Sequence, residues 1–198
     1  MPVNILLALW LLCQTALSFA FSVPDFPYHF LLKTYEDNQT IDLLLQDNQK
    51  VGFLQPKAPH HHTNGIYFFY DQNGQRKLII KCTHIYRSSF EETKFDVFDN
   101  AWKLVAKLYY RISENGSKMI IHHNDQTLLT IVRNNLGPTY SVYQGNTWTV
   151  VATLHRKFFT WSLDMTVEIN NKDRLLSIVD PNIFAASVAL LIQCRRGD

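Results

Sequence analysis

Short apolar runs separated by clusters of Asp, Asn, Gln and Gly recur along most of the chain. In the clearest case, residues 67–70 and 78–80 are the apolar runs and residues 71–74 are the polar cluster between them. Asn, Asp and Gly readily adopt the positive φ angles that tight hairpin turns need. We therefore interpret each such unit as a β-hairpin, with Asn73-Gly74 as the strongest turn signal.

Six such units follow one another, so the pattern predicts twelve strands. The paired apolar runs are residues 43–45 and 51–53, 67–70 and 78–80, 95–98 and 102–105, 119–121 and 128–132, 140–143 and 148–151, and 165–169 and 175–179. Successive hairpins at this spacing are typical of an all-β barrel or sandwich. We predict a mainly β fold, a twelve-stranded antiparallel barrel of six hairpins.

Alternation of side chains is clearest between residues 102 and 109. A strand has a side-chain period of two, so alternate residues face opposite sides of a sheet. The apolar set is predicted to face inward and comprises Trp102, Leu104, Ala106 and Leu108. The other set is predicted to face outward and comprises Lys103, Val105, Lys107 and Tyr109. An apolar inner face must be covered by something apolar.

The stretch after Asp180-Pro181 is apolar on every face from residue 182 to residue 194. It is shorter than the roughly 20 apolar residues that span a bilayer, and a helix that is apolar all round is otherwise enclosed by protein. Asp180 is a good N-cap, and Pro181 suits the first helical position. We predict that this C-terminal helix lies inside the barrel, with core residues Ile183, Phe184, Val188, Leu191 and Ile192.

The first 22 residues are predicted to be a secretory signal peptide. Residues 5–20 carry no charge, and small residues at positions 16, 18 and 20 offer cleavage near Ala20 or Ser22. Because no Lys or Arg precedes the apolar run, a membrane anchor or a buried first strand are the alternatives. No linker divides the remainder, so residues 23–198 are predicted to form a single domain, secreted or in the endoplasmic reticulum lumen, or else anchored to a membrane by the N-terminal segment.

Two features bear on that compartment. Cys82 and Cys194 would remain after cleavage, either as one disulfide or as two separate buried thiols. Asn38 and Asn115 stand in N-glycosylation sequons within predicted turns, where an acceptor is exposed.

The net charge and the absence of catalytic motifs argue against several classes of function. A formal net charge of +2 is too small to favour nucleic acid as a partner. Nucleophile-elbow, phosphate-loop and zinc-protease motifs are absent from the sequence, so we expect no enzymatic activity, no metal and no cofactor. Four lysines on predicted outward faces are candidate contacts for anionic lipid, or else ordinary solubilising charge: Lys77, Lys81, Lys103 and Lys107.

Six hairpins followed by one apolar helix resemble the tubby C-terminal-like superfamily, above all its LURP-one-related and phospholipid scramblase branches. The resemblance is carried by residues 70–78, by residues 97–104 and by the last predicted hairpin leading into Asp180-Pro181-Asn182-Ile183. It extends from about Pro27 to Cys194. It implies a tubby-like, LURP-one-related barrel domain. Tubby proteins bind phosphoinositide head groups through a basic barrel patch.

The chain departs from scramblases, because it has no proline-rich N-terminal region, no palmitoylation-type cysteine cluster and no acidic calcium loop before the helix. We predict a non-catalytic, monomeric, secreted or luminal binding protein that contacts a phospholipid surface or a protein partner. The alternatives are a scramblase-like membrane protein and a lipocalin-like carrier of a small apolar ligand. The sequence lacks the G-x-W entry of lipocalins, and a core-filling helix would occupy a carrier's cavity.

Overall fold

A computed structural model describes residues 26–35, 40–57, 65–87, 90–113, 116–134, 137–156 and 163–195. Within these ranges the chain forms twelve strands and two helices. The strands are β1 (His29–Thr34), β2 (Ile41–Leu44), β3 (Lys50–Pro56), β4 (Ile66–Asp71), β5 (Arg76–Arg87), β6 (Phe90–Phe98), β7 (Leu104–Ser113), β8 (Gly116–His123), β9 (Gln126–Arg133), β10 (Thr139–Gln144), β11 (Val150–Arg156) and β12 (Met165–Ile169). The helices are α1 (Lys172–Ile178) and α2 (Pro181–Arg195).

All twelve strands form one closed antiparallel barrel, as the hairpin pattern predicts. Each strand pairs with its neighbours in sequence, and the barrel closes where β1 pairs with β12. At that seam His29 lies opposite Glu168 and Leu32 lies opposite Met165. The turns after the even-numbered strands β2 to β10 share one end of the barrel, which we call the turn end.

Five of the six predicted hairpins are confirmed by the strand pairing, and the sixth is wrong. Residues 175–179 do not form a strand, because α1 covers most of them. The Asn171 side chain accepts a hydrogen bond from the backbone N–H of Arg174 at 3.0 Å, which starts the helix. The place beside β12 is taken by β1, a strand that the sequence analysis does not include.

A β-bulge follows each of the five confirmed turns and changes which face the side chains take. In the β6–β7 hairpin, Val97 lies opposite Ala106 but Phe98 lies opposite Leu104, so Val105 is the extra residue. Ala106 and Leu108 are buried, as predicted. Leu104 and Trp102 are exposed, so their predicted inward orientation is wrong, because the bulge shifts the alternation by one residue.

The helix α2 fills the barrel, as predicted. Every residue from 183 to 192 is buried, including all five predicted core residues. Asp180 Oδ1 accepts a hydrogen bond from the N–H of Asn182 at 2.8 Å, which confirms the predicted cap. The buried hydroxyl of Ser187 donates to the carbonyl of Ile183 at 2.6 Å, so the one polar side chain in the buried stretch is satisfied within the helix.

Neither described helix is by itself long and apolar enough to cross a membrane. Taken together, α1 and α2 meet the length and hydropathy criteria only as a pair that is bent by 95°.

Candidate functional site

The barrel interior belongs to α2, so a candidate site has to be sought on the outer surface. Phe184, Val188 and Leu191 are fully buried among the inward side chains of the strands. A small apolar ligand would need the volume that these side chains occupy. The structure therefore favours an external contact surface over an enclosed ligand.

Aromatic rings cover the outside of the barrel near the turn end. Phe53 of β3 stacks on Tyr70 of β4 with ring centroids 4.6 Å apart, and Phe68 meets Tyr70 edge to face at 6.3 Å. Two cations lie over these rings, Lys50 at 5.0 Å from the centroid of Phe53 and Arg76 at 5.3 Å from that of Phe68. Such contacts are worth about 0.5–1 kcal/mol each at exposed sites. This outer layer is absent from the sequence prediction, which places Val105 and Tyr109 on the outer face but none of these rings.

Lys77, one of the four predicted lipid contacts, is already engaged. Its Nζ lies 3.0 Å from Asp71 Oδ2 and 3.3 Å from Gln75 Oε1. Burial by itself would raise the pKa of Asp71, but hydrogen bonds from Lys77 and from the backbone N–H groups of Gln75 and Asn73, together with the Lys77 charge, outweigh it and lower that pKa. Lys77 therefore stabilises the β4–β5 turn.

The other three predicted lysines are placed differently. Among the described residues, none of Lys81, Lys103 and Lys107 forms an ion pair. The ammonium group of Lys81 lies 5.4 Å from the ring centroid of Phe98 and 5.1 Å from that of Trp102. Lys103 is the next residue after Trp102.

Lys107 lies two strands from Lys81 in the same cross-strand row, with Asp96 of β6 between them. The Asp96 carboxylate binds Lys94 at 3.0 Å. Lys81 and Lys107 thus lie two strand spacings apart in this row, about 10 Å between their backbones. Neither forms an ion pair with Asp96 among the described residues. We call the set Lys81, Phe98, Trp102, Lys103 and Lys107 the Trp102 patch.

The backbone of Trp102 is unusual. Its φ is +61°, a left-handed conformation that bulky residues rarely adopt. The indole is nevertheless 53% exposed. In the same turn Asp99 Oδ1 accepts hydrogen bonds from the N–H groups of Ala101 and Lys103, both at 2.9 Å. Side-chain alternation does not predict a left-handed residue in a turn. The sequence feature that could have indicated it is the position of Trp102, three residues after the turn-forming Asp99.

The Trp102 patch lies on the more basic part of the chain. Between Arg76 and Arg133 there are ten Lys and Arg against six Asp and Glu, whereas the rest of the chain carries an acidic excess of two. Strands β5 to β9 thus bear the basic excess of a nearly neutral protein, and an anionic partner would be attracted to this side of the barrel.

Cys82 and Cys194 are both thiols in the structure, the first buried and the second half-buried, so the disulfide considered from the sequence is not formed in it. Burial raises the pKa of the Cys82 thiol to about 11. Burial, and to a lesser extent the two thiols, raises the pKa of the Tyr67 hydroxyl to about 12. At neutral pH these groups are therefore protonated and unreactive.

The remaining predicted sites need only brief mention. The signal peptide (residues 1–22) and the sequon residues Asn38 and Asn115 lie outside the described residues, so these remain predictions. Within the described ranges, no group of three or more His, Cys, Asp and Glu side chains is arranged to hold a metal ion.

The fold of the chain is similar to that of a solved plant protein. The X-ray structure of a protein from Arabidopsis thaliana, AT5G01750, covers 87% of this chain and 96% of its own, at a TM-score of 0.51 and 15% sequence identity. Searches against protein families and against curated proteins find no match. At 15% identity this similarity extends to the fold alone.

Proposed function

We propose that this protein is a non-catalytic binding protein whose Trp102 patch contacts the surface of an anionic phospholipid membrane. The proposal is carried by a half-exposed indole that contacts Lys81 and shares its hairpin with Lys103 and Lys107. None of these three lysines forms an ion pair within the part of the chain that the structure describes. Lysine near an anionic leaflet contributes about 1 kcal/mol per charge, and Trp is favoured at the membrane–water interface. The patch combines both within one hairpin and its neighbouring strand.

The filled interior supports this proposal over the two alternatives. A lipocalin-like carrier would have to displace α2, and a scramblase-like span would have to extract it from the barrel core. Full burial of ten successive residues makes either step costly, because each large apolar side chain loses about 1.5–3 kcal/mol on exposure. The tubby-like character of the barrel is consistent with a binding role on the outside.

We further propose that the protein is secreted or luminal, on the strength of the uncharged N-terminal run and the two sequons. The N-terminal residue of the protein recovered from expressing cells would test this. A new terminus near residue 21 or 23 is expected. An intact Met1 on an intracellular protein would overturn the proposed compartment.

Flotation with lipid vesicles tests the proposed ligand. The protein is expected to float with phosphatidylcholine vesicles that contain phosphatidylserine and to remain behind with phosphatidylcholine alone. Lys103→Glu/Lys107→Glu should weaken binding by about thirtyfold or more, since two charges of about 1 kcal/mol each are lost and reversed.

The matched control is Lys57→Glu/Lys118→Glu. It makes the same change of net charge with two exposed lysines at the opposite end of the barrel, and it should retain most of the binding. If the unaltered protein fails to float with either vesicle, the lipid proposal is wrong and a protein partner becomes the better explanation. Equal losses in the two double variants would show that net charge, and not the patch, drives binding.

A further inference from the structure

We infer that Trp102 is the residue that enters the interfacial layer of the membrane, and that its left-handed backbone exists to present the indole there. The inference rests on the proposed function, which it deepens by naming the anchoring residue. Three turns of the barrel share one backbone geometry but differ at one residue.

The three turns follow β2, β4 and β6, and all lie at the turn end. In each, the first residue hydrogen-bonds through its own N–H to the carbonyl four residues later, and its carbonyl accepts from the N–H three residues later. The first residues are Leu45, Asp71 and Asp99. The residue three positions later always has a left-handed backbone, and its φ is +65° at Asn48, +72° at Gly74 and +61° at Trp102.

Asn and Gly are the residues that this position favours, because they adopt positive φ at little cost. A residue with a larger side chain is strained there by roughly 1–2 kcal/mol. Trp102 bears this strain in a turn that has the same backbone hydrogen bonds as the turns of Asn48 and Gly74. Strain of this kind is often found at binding sites, where the surrounding structure maintains it.

The indole does little for the core in return. It is 53% exposed, and its described contacts are with Phe98, at a centroid distance of 5.8 Å, and with the Lys81 ammonium group. Both partners are themselves on the outer surface. The ring is thus held by an aromatic side chain and a cation in a position that leaves one part of it in water.

The chemistry around the ring identifies the occupant. A membrane interface offers phosphate groups at the level of the lysines and a partly apolar zone just beneath them. The Lys81 ammonium group lies 5.1 Å from the indole centroid, and Lys103 follows Trp102 directly in the sequence. Lysines next to the ring can therefore meet lipid phosphates while the indole enters the zone beneath them. The basic excess of β5 to β9 favours an anionic leaflet over a neutral one.

Trp148 provides an internal contrast. It lies at the same end of the barrel in the β10–β11 turn and is 88% exposed. Its backbone does not have a positive φ, and its described ring contact is with Tyr143 at 5.7 Å. Exposure alone would make Trp148 the better anchor, whereas strain and neighbouring lysines point to Trp102.

Binding is tested with Trp102→Ala and Trp148→Ala, measured by flotation with phosphatidylserine-containing vesicles. Trp102→Ala should bind about tenfold more weakly or worse, since the transfer of an aromatic ring is lost. Trp148→Ala should bind as the unaltered protein does. Addition of vesicles should shift tryptophan emission to shorter wavelength in Trp148→Phe and leave it unchanged in Trp102→Phe.

Backbone strain at position 102 is tested by urea unfolding in the absence of lipid. Trp102→Gly and Trp102→Ala both lack the ring and differ only in how well they accept a positive φ. Trp102→Gly should therefore unfold at a higher urea concentration than Trp102→Ala. The reverse order would mean that the position is not strained.

The outcomes separate the two proposals. If the unaltered protein does not bind the vesicles, the proposed function fails and the anchor fails with it. If it binds and Lys103→Glu/Lys107→Glu weakens binding while Trp102→Ala does not, the function stands and the anchor is wrong. If both alanine variants weaken binding equally, the specific role of Trp102 is overturned.

Discussion

Asp71 shows how one buried carboxylate can organise a turn. Its Oδ1 accepts hydrogen bonds from the N–H groups of Asn73 and Gln75, both at 2.9 Å, while its Oδ2 pairs with Lys77. Asp99 repeats the backbone part of this arrangement in the next turn, with no lysine among the described residues paired to it. The two turns therefore separate the contribution of the charge from that of the turn geometry.

We predict that Asp71→Asn lowers the free energy of unfolding by about 1 kcal/mol at neutral pH, since Asn keeps an acceptor for the turn but loses the pairing with Lys77. Because folding lowers the pKa of Asp71, its contribution is full above the ordinary value of 3.8 and is lost as pH falls through the folded value. Urea unfolding of both proteins at neutral and at strongly acidic pH measures this difference.

Asp99→Asn is the control, because it makes the same substitution in a turn whose carboxylate has no lysine paired to it among the described residues. A penalty for Asp71→Asn that is as large in acid as at neutral pH would contradict the role of the charge.

At the residue scale, the sequence pattern predicts that the four lysines face outward but not which groups they contact. Lys77, Lys81, Lys103 and Lys107 look alike in an alternating pattern. Among the described residues, however, Lys77 alone of the four forms an ion pair, with Asp71 of the same hairpin. The Lys77–Asp71 ion pair depends on the bulge in β5, where Lys77 is the extra residue and its side chain is turned toward Asp71. The exposure of Trp102 escapes prediction for the same reason, because it follows from the bulge at Val105.

Among the secondary structure elements, the segment after β12 is the one whose type the pattern does not predict. Residues 175–179 are as apolar as a strand, and a polar cluster precedes them. Two facts decide for a helix: Asn171 caps its first turn, and β1 already occupies the free edge of β12. The Asn171 cap is local and could have been recognised in the sequence. The position of β1 could not, because it depends on the pairing of the first strand with the last.

We predict that Asn171→Ala destabilises the protein by about 1 kcal/mol, since the N–H of Arg174 loses its acceptor. Asn171→Ser retains a capping oxygen and should lose only part of that amount. Thermal or urea unfolding of the two variants makes the comparison. Equal stability of the Ala and Ser variants would show that the cap does not matter here.

The five confirmed hairpins were predictable because each has a polar turn between apolar runs. Asn48 and Gly74 supply the left-handed residue that such turns require. The helix α2 was predictable because no outer surface could accept a segment that is apolar on all sides, and Asp180-Pro181 mark its beginning.

For the whole molecule, the closed barrel and its filling depend on each other. The inward faces of twelve strands would be exposed to an empty interior without α2, and buried apolar side chains such as Phe184 and Leu191 have no other place. The barrel is therefore one cooperative unit.

We predict that a chain ending at Val179 does not fold to a soluble monomer. Loss of α2 removes its buried side chains at once, and truncation of a single large core residue already costs about 2–5 kcal/mol. Size-exclusion chromatography and circular dichroism would show aggregation or loss of the β signal. A chain ending at Arg195 is the control and should behave as the full-length protein does. A stable monomer that ends at Val179 would refute the interdependence.

The seam between β1 and β12 has a consequence for how the chain reaches this state. There the N–H of Thr34 donates to Asp164 Oδ1 at 3.0 Å, across 130 residues of sequence. The hairpins close short loops and form early, whereas a contact of such range comes late, because the entropy of loop closure grows with length. We expect a chain whose seam is still open to form a curved sheet with two unpaired edge strands, each able to pair with the edge strand of another chain. Slow closure of the barrel should therefore compete with association between partly folded chains. Folding at low protein concentration should favour the closed monomer.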